Sequence, residues 1–114
     1  VMDSAHRRYL HLAAVFACNF ANHCYALSAR VLQSQGIPFD VMLPLIDETA
    51  CKVHSLPPVE AQTGPAVRYD SNVLEAQRAL LEGMPELQSL YDEMSRSIHR
   101  MALQEKKNEE VGYD

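Results

Sequence analysis

Three observations predict an all-α chain, a helical bundle around one long N-terminal helix. No segment alternates apolar and polar residues for long enough to make a strand, and the best apolar run, at 41–46, contains Pro44. An apolar pattern runs from Asp3 to Gln35 without Gly or Pro. Leu87, Leu90, Tyr91, Met94, Ile98 and Met101 then recur at three- and four-residue spacing. With 114 residues and 12.8 kDa, one domain with a real core is expected, over residues 1–104, followed by a flexible charged tail at 105–114.

Asp3 or Ser4 is placed to cap the first helix, with Gly36 as its stop and Pro38 preventing continuation. At about 32 residues and roughly 48 Å, that helix is longer than a compact domain of this size is wide. Its apolar residues, among them Leu10, Leu12, Val15, Phe16, Phe20, Tyr25, Leu27, Val31 and Leu32, go nearly all round the axis. A helix of that kind is enclosed by other elements, so a dimer or a neighbouring domain is implied. Asp40 is expected to cap a second helix through about Ser55, with Pro44 in its first turn or restarting it, and Pro57 and Pro58 end it. Asn72 with Glu75 makes a capping box for a third helix up to Glu82, closed by Gly83, although Asp70 or Ser71 serves equally as the cap. Pro85 opens the fourth helix, and from Glu105 the apolar period is lost and the chain is expected to fray.

Composition excludes several functions. Ten Lys and Arg against fifteen Asp and Glu leave a net charge of −5, which is not the footprint of a nucleic-acid binder. The excess is uneven. Residues 1–35 hold one acid and three arginines, net +2, and residues 36–114 hold fourteen acids and seven bases, net −7. Either the first third faces an anion or a buried helix simply excludes carboxylates. The four glycines, Gly36, Gly64, Gly83 and Gly112, form no phosphate-binding loop, so the chain holds no self-contained Rossmann or P-loop domain.

The uncharged run at 9–29 is long enough to span a bilayer, but His11, Asn19, Asn22, His23 and Ser28 interrupt it, and a buried soluble helix is the reading adopted. No signal-peptide pattern is present and a cytoplasmic protein is expected. Cys18, Cys24 and Cys51 are an odd number and build no disulfide framework. Cys18 and Cys24 lie about 600° apart around a helix, so they and His23 make no metal site.

Two groups of residues carry candidate chemistry. His11, Asn19, Asn22 and His23 fall at i, i+8, i+11 and i+12 and share one face of an otherwise apolar helix. A buried Asn needs partners for two donors and an acceptor, so this stripe faces either a hydrogen-bond network between helices or subunits, or a ligand. The second group is the loop at 61–70, where Gly64 before Pro65 implies a tightly turned backbone. Thr63 and nearby amides are able to face an anion, and Arg68 adds a fork of donors suited to carboxylate or phosphate, unless it pairs with Asp70 or is merely solvated.

At these two segments, LHLAAVFACNFANHCYAL at 10–27 and QTGPAVRYD at 62–70, the chain resembles the helical C-terminal domain, catalogued as of unknown function, of Rossmann-like NADP oxidoreductases. These are similar in architecture to 6-phosphogluconate dehydrogenase, 3-hydroxyisobutyrate dehydrogenase and pyrroline-5-carboxylate reductase. The resemblance implies a 6-phosphogluconate dehydrogenase C-terminal-domain-like fold and a homodimer. It implies NADP or NAD bound mainly by an N-terminal Rossmann domain outside this chain, and a long helix whose polar stripe turns to the cleft where nicotinamide and substrate meet. By the same resemblance Asn19 hydrogen-bonds substrate or nicotinamide, and His11 is the proton donor. Asn22 and His23 line the substrate side, and Thr63, Gly64 and Arg68 hold an anion.

The pattern departs from its relatives at two positions. The hydroxyacid dehydrogenases place a catalytic lysine four residues before the helix asparagine, where this chain has Val15, so their lysine mechanism is not transferred. The loop of the relatives reads T-G-P-x-x-R-G-D, and Tyr69 stands in place of its glycine, which bears on the turn into the next helix and on the aim of Arg68. The resemblance therefore makes this chain the dimerisation and substrate-side domain of an NAD(P)-dependent oxidoreductase, inactive alone. The reading from another class is a structural helical assembly module whose polar stripe satisfies a subunit interface.

Overall fold

Capping chemistry starts the first helix where the sequence places it. In the computed structural model, which describes residues 3–112, the Asp3 carboxylate accepts the His6 amide at 2.9 Å. Helical backbone then runs without a break through α1 (Ser4–Ala14), a π-helical segment (Val15–Phe20) and α2 (Ala21–Gln33). Gly36 ends the rod with φ +68°, its amide bonded to the Gln33 carbonyl at 3.1 Å and the Ile37 amide to the Leu32 carbonyl at 3.0 Å. That pair of bonds is a Schellman motif, and glycine at its left-handed position carries no Cβ penalty.

The connection that follows differs from expectation. Asp40 is not a helix cap: it lies inside a 3₁₀ turn, Phe39–Met42, entered from the extended Pro38. The α-helical backbone restarts at α3 (Leu43–Lys52), where Pro44, in its first turn, loses no hydrogen bond because first-turn amides have no intrahelical acceptor. This helix stops at Lys52 and not near Ser55, because the His54 and Ser55 amides tighten back onto Cys51 and Lys52 at 3.1 Å each. Pro58, expected only as a stop, also opens a single turn, α4 (Pro58–Ala61).

Asp70, rather than Asn72 or Ser71, caps α5 (Ser71–Ala79), its carboxylate accepting the Val73 amide at 3.5 Å. The helix ends three residues before Glu82, and Gly83 does not close it through a positive φ; successive i to i+3 bonds from Leu80, Leu81 and Glu82 do so. Pro85 opens α6 (Pro85–Gly112), which stays helical well past Glu105. Glu and Lys in that stretch are good helix formers even without an apolar stripe. Among the described residues there is no strand, and no helix is long and apolar enough to cross a membrane.

The chain divides into two compact units, Val1–Ile46 and Asp47–Asp114. In the first, no residue of the rod is buried, and Tyr9, Phe16 and Phe20 are 73%, 63% and 51% exposed. Phe16 and Phe20 meet edge to face with centroids 5.0 Å apart, and this chain by itself does not enclose the helix. In the second unit Ala66, Leu74, Leu81 and the Ser95 side chain form a small core. Around it the Arg78 Nε of α5 donates to both carboxylate oxygens of Asp92 on α6 at 3.0 and 3.1 Å, Gln88 donates to the Arg78 carbonyl at 2.9 Å, and the Tyr91 hydroxyl donates to Gln77 Oε1 at 2.7 Å.

Burial raises the pKa of the Tyr91 phenol; a hydrogen bond with Ser95 opposes the shift and the charge of Asp92 adds to it. The proton that Tyr91 donates is thus held more firmly in the folded state. Its contribution is fully present below the ordinary phenol value of 10.0 and is lost as pH rises through the raised one. Tyr91→Phe is expected to cost about 1 kcal/mol at neutral pH by urea unfolding, and to flatten the stability decline above about pH 10.

Candidate anion-binding loop

The loop after α4 owes its shape to two backbone bonds. The Tyr69 amide donates to the Ala66 carbonyl at 3.1 Å and the Asp70 amide to the Pro65 carbonyl at 2.9 Å. This is the same Schellman pairing that closes the long rod at Gly36, here wound over a single turn. Its left-handed position is Tyr69, with φ +52°. The departure from the relatives' glycine therefore falls at the one position where the turn demands a positive φ, and a non-glycine residue there costs about 1–2 kcal/mol.

Two contacts offset that strain. The Tyr69 ring lies 5.0 Å from the His99 ring of α6, and His99 Nδ1 is 3.2 Å from the Val67 carbonyl, a hydrogen bond when that nitrogen carries the proton. His99 thus holds the residues on both sides of Arg68. His99 lies one residue after Ile98 and four after the buried Ser95, a spacing that sets it at the border of the core face of α6.

Thr63, Gly64 and Arg68 line a cleft of about 400 Å³ with Gln62, Pro65, Val67 and Asp70. Gly64 has φ +105°, a backbone that admits glycine and few other residues. The Arg68–Asp70 salt link does not form: Asp70 is engaged in capping α5, and among the described residues Arg68 makes no ion pair. A larger cleft of about 470 Å³ beside α5 and α6 also contains arginines, but there Arg78 is paired with Asp92 and Arg96 with Glu93 at 2.7 Å. Of the arginines that line these two clefts, Arg68 is the one without an ion pair.

The helix group belongs to the other unit. His11, Asn19, Asn22 and His23 are all exposed in this chain, and among the described residues none of their side chains carries a hydrogen bond or ion pair. His11 lies in the last turn of α1, Asn19 within the π segment, and Asn22 and His23 in the first turn of α2. The π turn holds one more residue than an α turn, which sets everything after it back by roughly 100°. His23 is thereby brought to within about 20° of His11, while Asn22 moves from about 20° on one side to about 80° on the other. Asn19, next to the end of the π segment, is set back by most of that amount, so the four stay within an arc of roughly 100°, with Asn22 rather than His23 at its edge. Cys18, Cys24 and Cys51 are free and exposed.

The family model described as a domain of unknown function, DUF2520, matches residues 1–98. A crystal structure from Bacteroides fragilis, described provisionally as an NADP oxidoreductase, is 60% identical over 87% of this chain, with a TM-score of 0.85. The chain spans 38% of that structure's length. No curated protein sequence matches.

Substitutions at the two left-handed positions separate backbone strain from contact. Tyr69→Gly is expected to leave stability within about 1 kcal/mol of the parent, because relief of strain and loss of the ring contact are of similar size. Tyr69→Ala loses the contact and keeps the strain, and unfolds about 1 kcal/mol more easily than Tyr69→Gly. At Gly36 an added Cβ meets no atom within 4 Å, so the expected loss of about 1 kcal/mol in Gly36→Ala is due to φ alone. Equal stability of the Ala and Gly variants at 69, in thermal unfolding, contradicts the turn assignment.

Proposed function

We propose that this chain, which belongs to the DUF2520 family, is the dimerising, substrate-side domain of an NAD(P)-dependent oxidoreductase and is inactive alone. The observation that carries the proposal is the 60% identity, over 87% of the chain, to a structure described provisionally as an NADP oxidoreductase. The dinucleotide itself does not fit here: among the described residues no strand leads through a glycine-rich turn into a helix, the arrangement that seats a pyrophosphate. NADP or NAD is therefore assigned mainly to an N-terminal Rossmann domain, and no step through it is assigned to this chain.

What the chain supplies is substrate-side. Arg68 and Thr63 hold an anionic group over the open backbone of Gly64. Asn19, presented where the helix is locally unwound, donates to or accepts from substrate or nicotinamide. His11 is the proton donor, imidazole being the side chain most often used for proton transfer. Asn22 and His23, in the same unit as Asn19 and His11, are assigned to the substrate side. The uncovered apolar rod supports the homodimer: large side chains such as Tyr9, Leu10, Phe16 and Phe20 need cover that a second copy provides. Free thiols and the absence of a membrane-spanning helix among the described residues support a cytoplasmic setting.

The test uses the full-length protein beside this chain. NADPH is expected to bind the full-length protein and not the isolated chain; micromolar binding to the chain alone overturns the division of labour. Asn19→Ala and Arg68→Ala are expected to lower kcat/KM at least tenfold with the sedimenting species unchanged. If they instead weaken assembly and leave turnover per dimer intact, the chain is a structural assembly module. A monomer at tens of micromolar in sedimentation contradicts the dimer.

A further inference from the structure

The Thr63–Gly64–Pro65 ridge has a second face. Besides the cleft of Arg68, these three residues line a cleft of about 200 Å³ whose other walls are Ala66, Met94 and Ile98 with Gln77, Tyr91 and Ser95, and whose exposed surface is mainly apolar. Met94 is 54% exposed, an unbranched apolar side chain held open to solvent beside the loop. Between the two clefts the ridge is bare at Gly64, where a Cβ would meet no atom within 4 Å. One molecule is thus able to lie across it, with a charged end on one side and a carbon chain on the other.

The charge of the polar cleft narrows the head group. Arg68 and Asp70 both line it, so its formal charge is zero before a ligand enters. A dianionic phosphate meets the Asp70 carboxylate as well as the single guanidinium. A carboxylate brings one negative charge and two oxygens that match the Arg fork, with the Thr63 hydroxyl as an additional donor.

We infer that the ligand of this loop is a small monocarboxylate with an apolar chain, its carboxylate on Arg68 and Thr63 and its chain crossing Gly64 into the cleft beside Met94 and Ile98. The inference rests on reading this chain as the substrate side of an oxidoreductase, and it names the substrate class.

Acetate, butanoate, hexanoate, hexanol and pentyl phosphate, titrated calorimetrically into the full-length protein without nicotinamide cofactor, test it. Affinity is expected to rise about two- to fourfold per methylene from acetate to hexanoate, the upper figure corresponding to full burial of each CH₂. Hexanol is expected not to bind, and pentyl phosphate to bind more weakly than hexanoate. Arg68→Gln should weaken every carboxylate at least tenfold. Met94→Asp, at an exposed position, should abolish the chain-length dependence. Equal binding of acetate and hexanoate, hexanol matching hexanoate, or pentyl phosphate binding tighter overturns the assignment. Such a result with NADPH turnover intact removes only the substrate class, whereas normal carboxylate binding in a protein that never oxidises NADPH removes the oxidoreductase reading.

Discussion

The turn at Pro65–Asp70 depends on two backbone hydrogen bonds, and most of the second unit depends on that turn. Closing the chain from Asp70 to Pro65 and from Tyr69 to Ala66 puts Ala66 into the core and leaves Arg68 outside. It also delivers Asp70 in the extended conformation a helix cap requires. One local geometry thus sets a core contact, a candidate binding group and the start of α5. The left-handed residue is what makes the closure achievable, which is why a tyrosine there needs support from α6. His99 supplies that support on both sides of Arg68, through the Val67 carbonyl and the Tyr69 ring.

In the first unit the governing constraint is different. A rod that runs helically from Ser4 to Gln33 contacts little else in its own unit, and its large apolar side chains remain in water. Exposure on this scale is costly for an isolated chain, because each large side chain left uncovered forgoes about 1.5–3 kcal/mol of burial. The π segment lies within this apolar stretch and places Asn19 where backbone pairing shifts from one register to another. Such segments persist when something outside the helix favours them, and they recur at functional sites. Under the proposed reading, this apolar surface is the face that a second copy covers.

The rod's two ends, the start of α6 and the meeting of Thr63, Gly64 and Arg68 were legible in the sequence because each rests on a residue with a narrow conformational or chemical range. Asp3 caps, Gly36 takes a positive φ, and Pro85 opens a helix where a missing amide costs nothing. The π segment was not legible, because a change in hydrogen-bond register has no residue signature in an apolar run. Asp40 misled because a capping side chain and an acid in a 3₁₀ turn look alike from composition. Gly83 misled in the opposite sense, as glycine is favoured at helix ends but a run of i to i+3 bonds ends a helix without it. The helical stretch beyond Glu105 shows that intrinsic propensity in Glu and Lys sustains backbone structure where no apolar stripe marks it.

What sets Arg68 apart is its place in the fold rather than its residue type. Arg96 lies on α6 with Glu93 one turn away, and Arg78 on α5 faces Asp92 across the helix pair, so both guanidinium groups are engaged by carboxylates that helix geometry brings to them. Arg68 sits at the last position of a one-turn motif, where its neighbours in sequence offer a valine, a strained tyrosine and an aspartate engaged in capping α5. The hydrogen bond that starts α5 thereby leaves Arg68 without a partner from its own loop. A cation exposed for that reason, beside a hydroxyl and a stretch of bare backbone, is available to a ligand because the turn has used the nearest competing anion elsewhere.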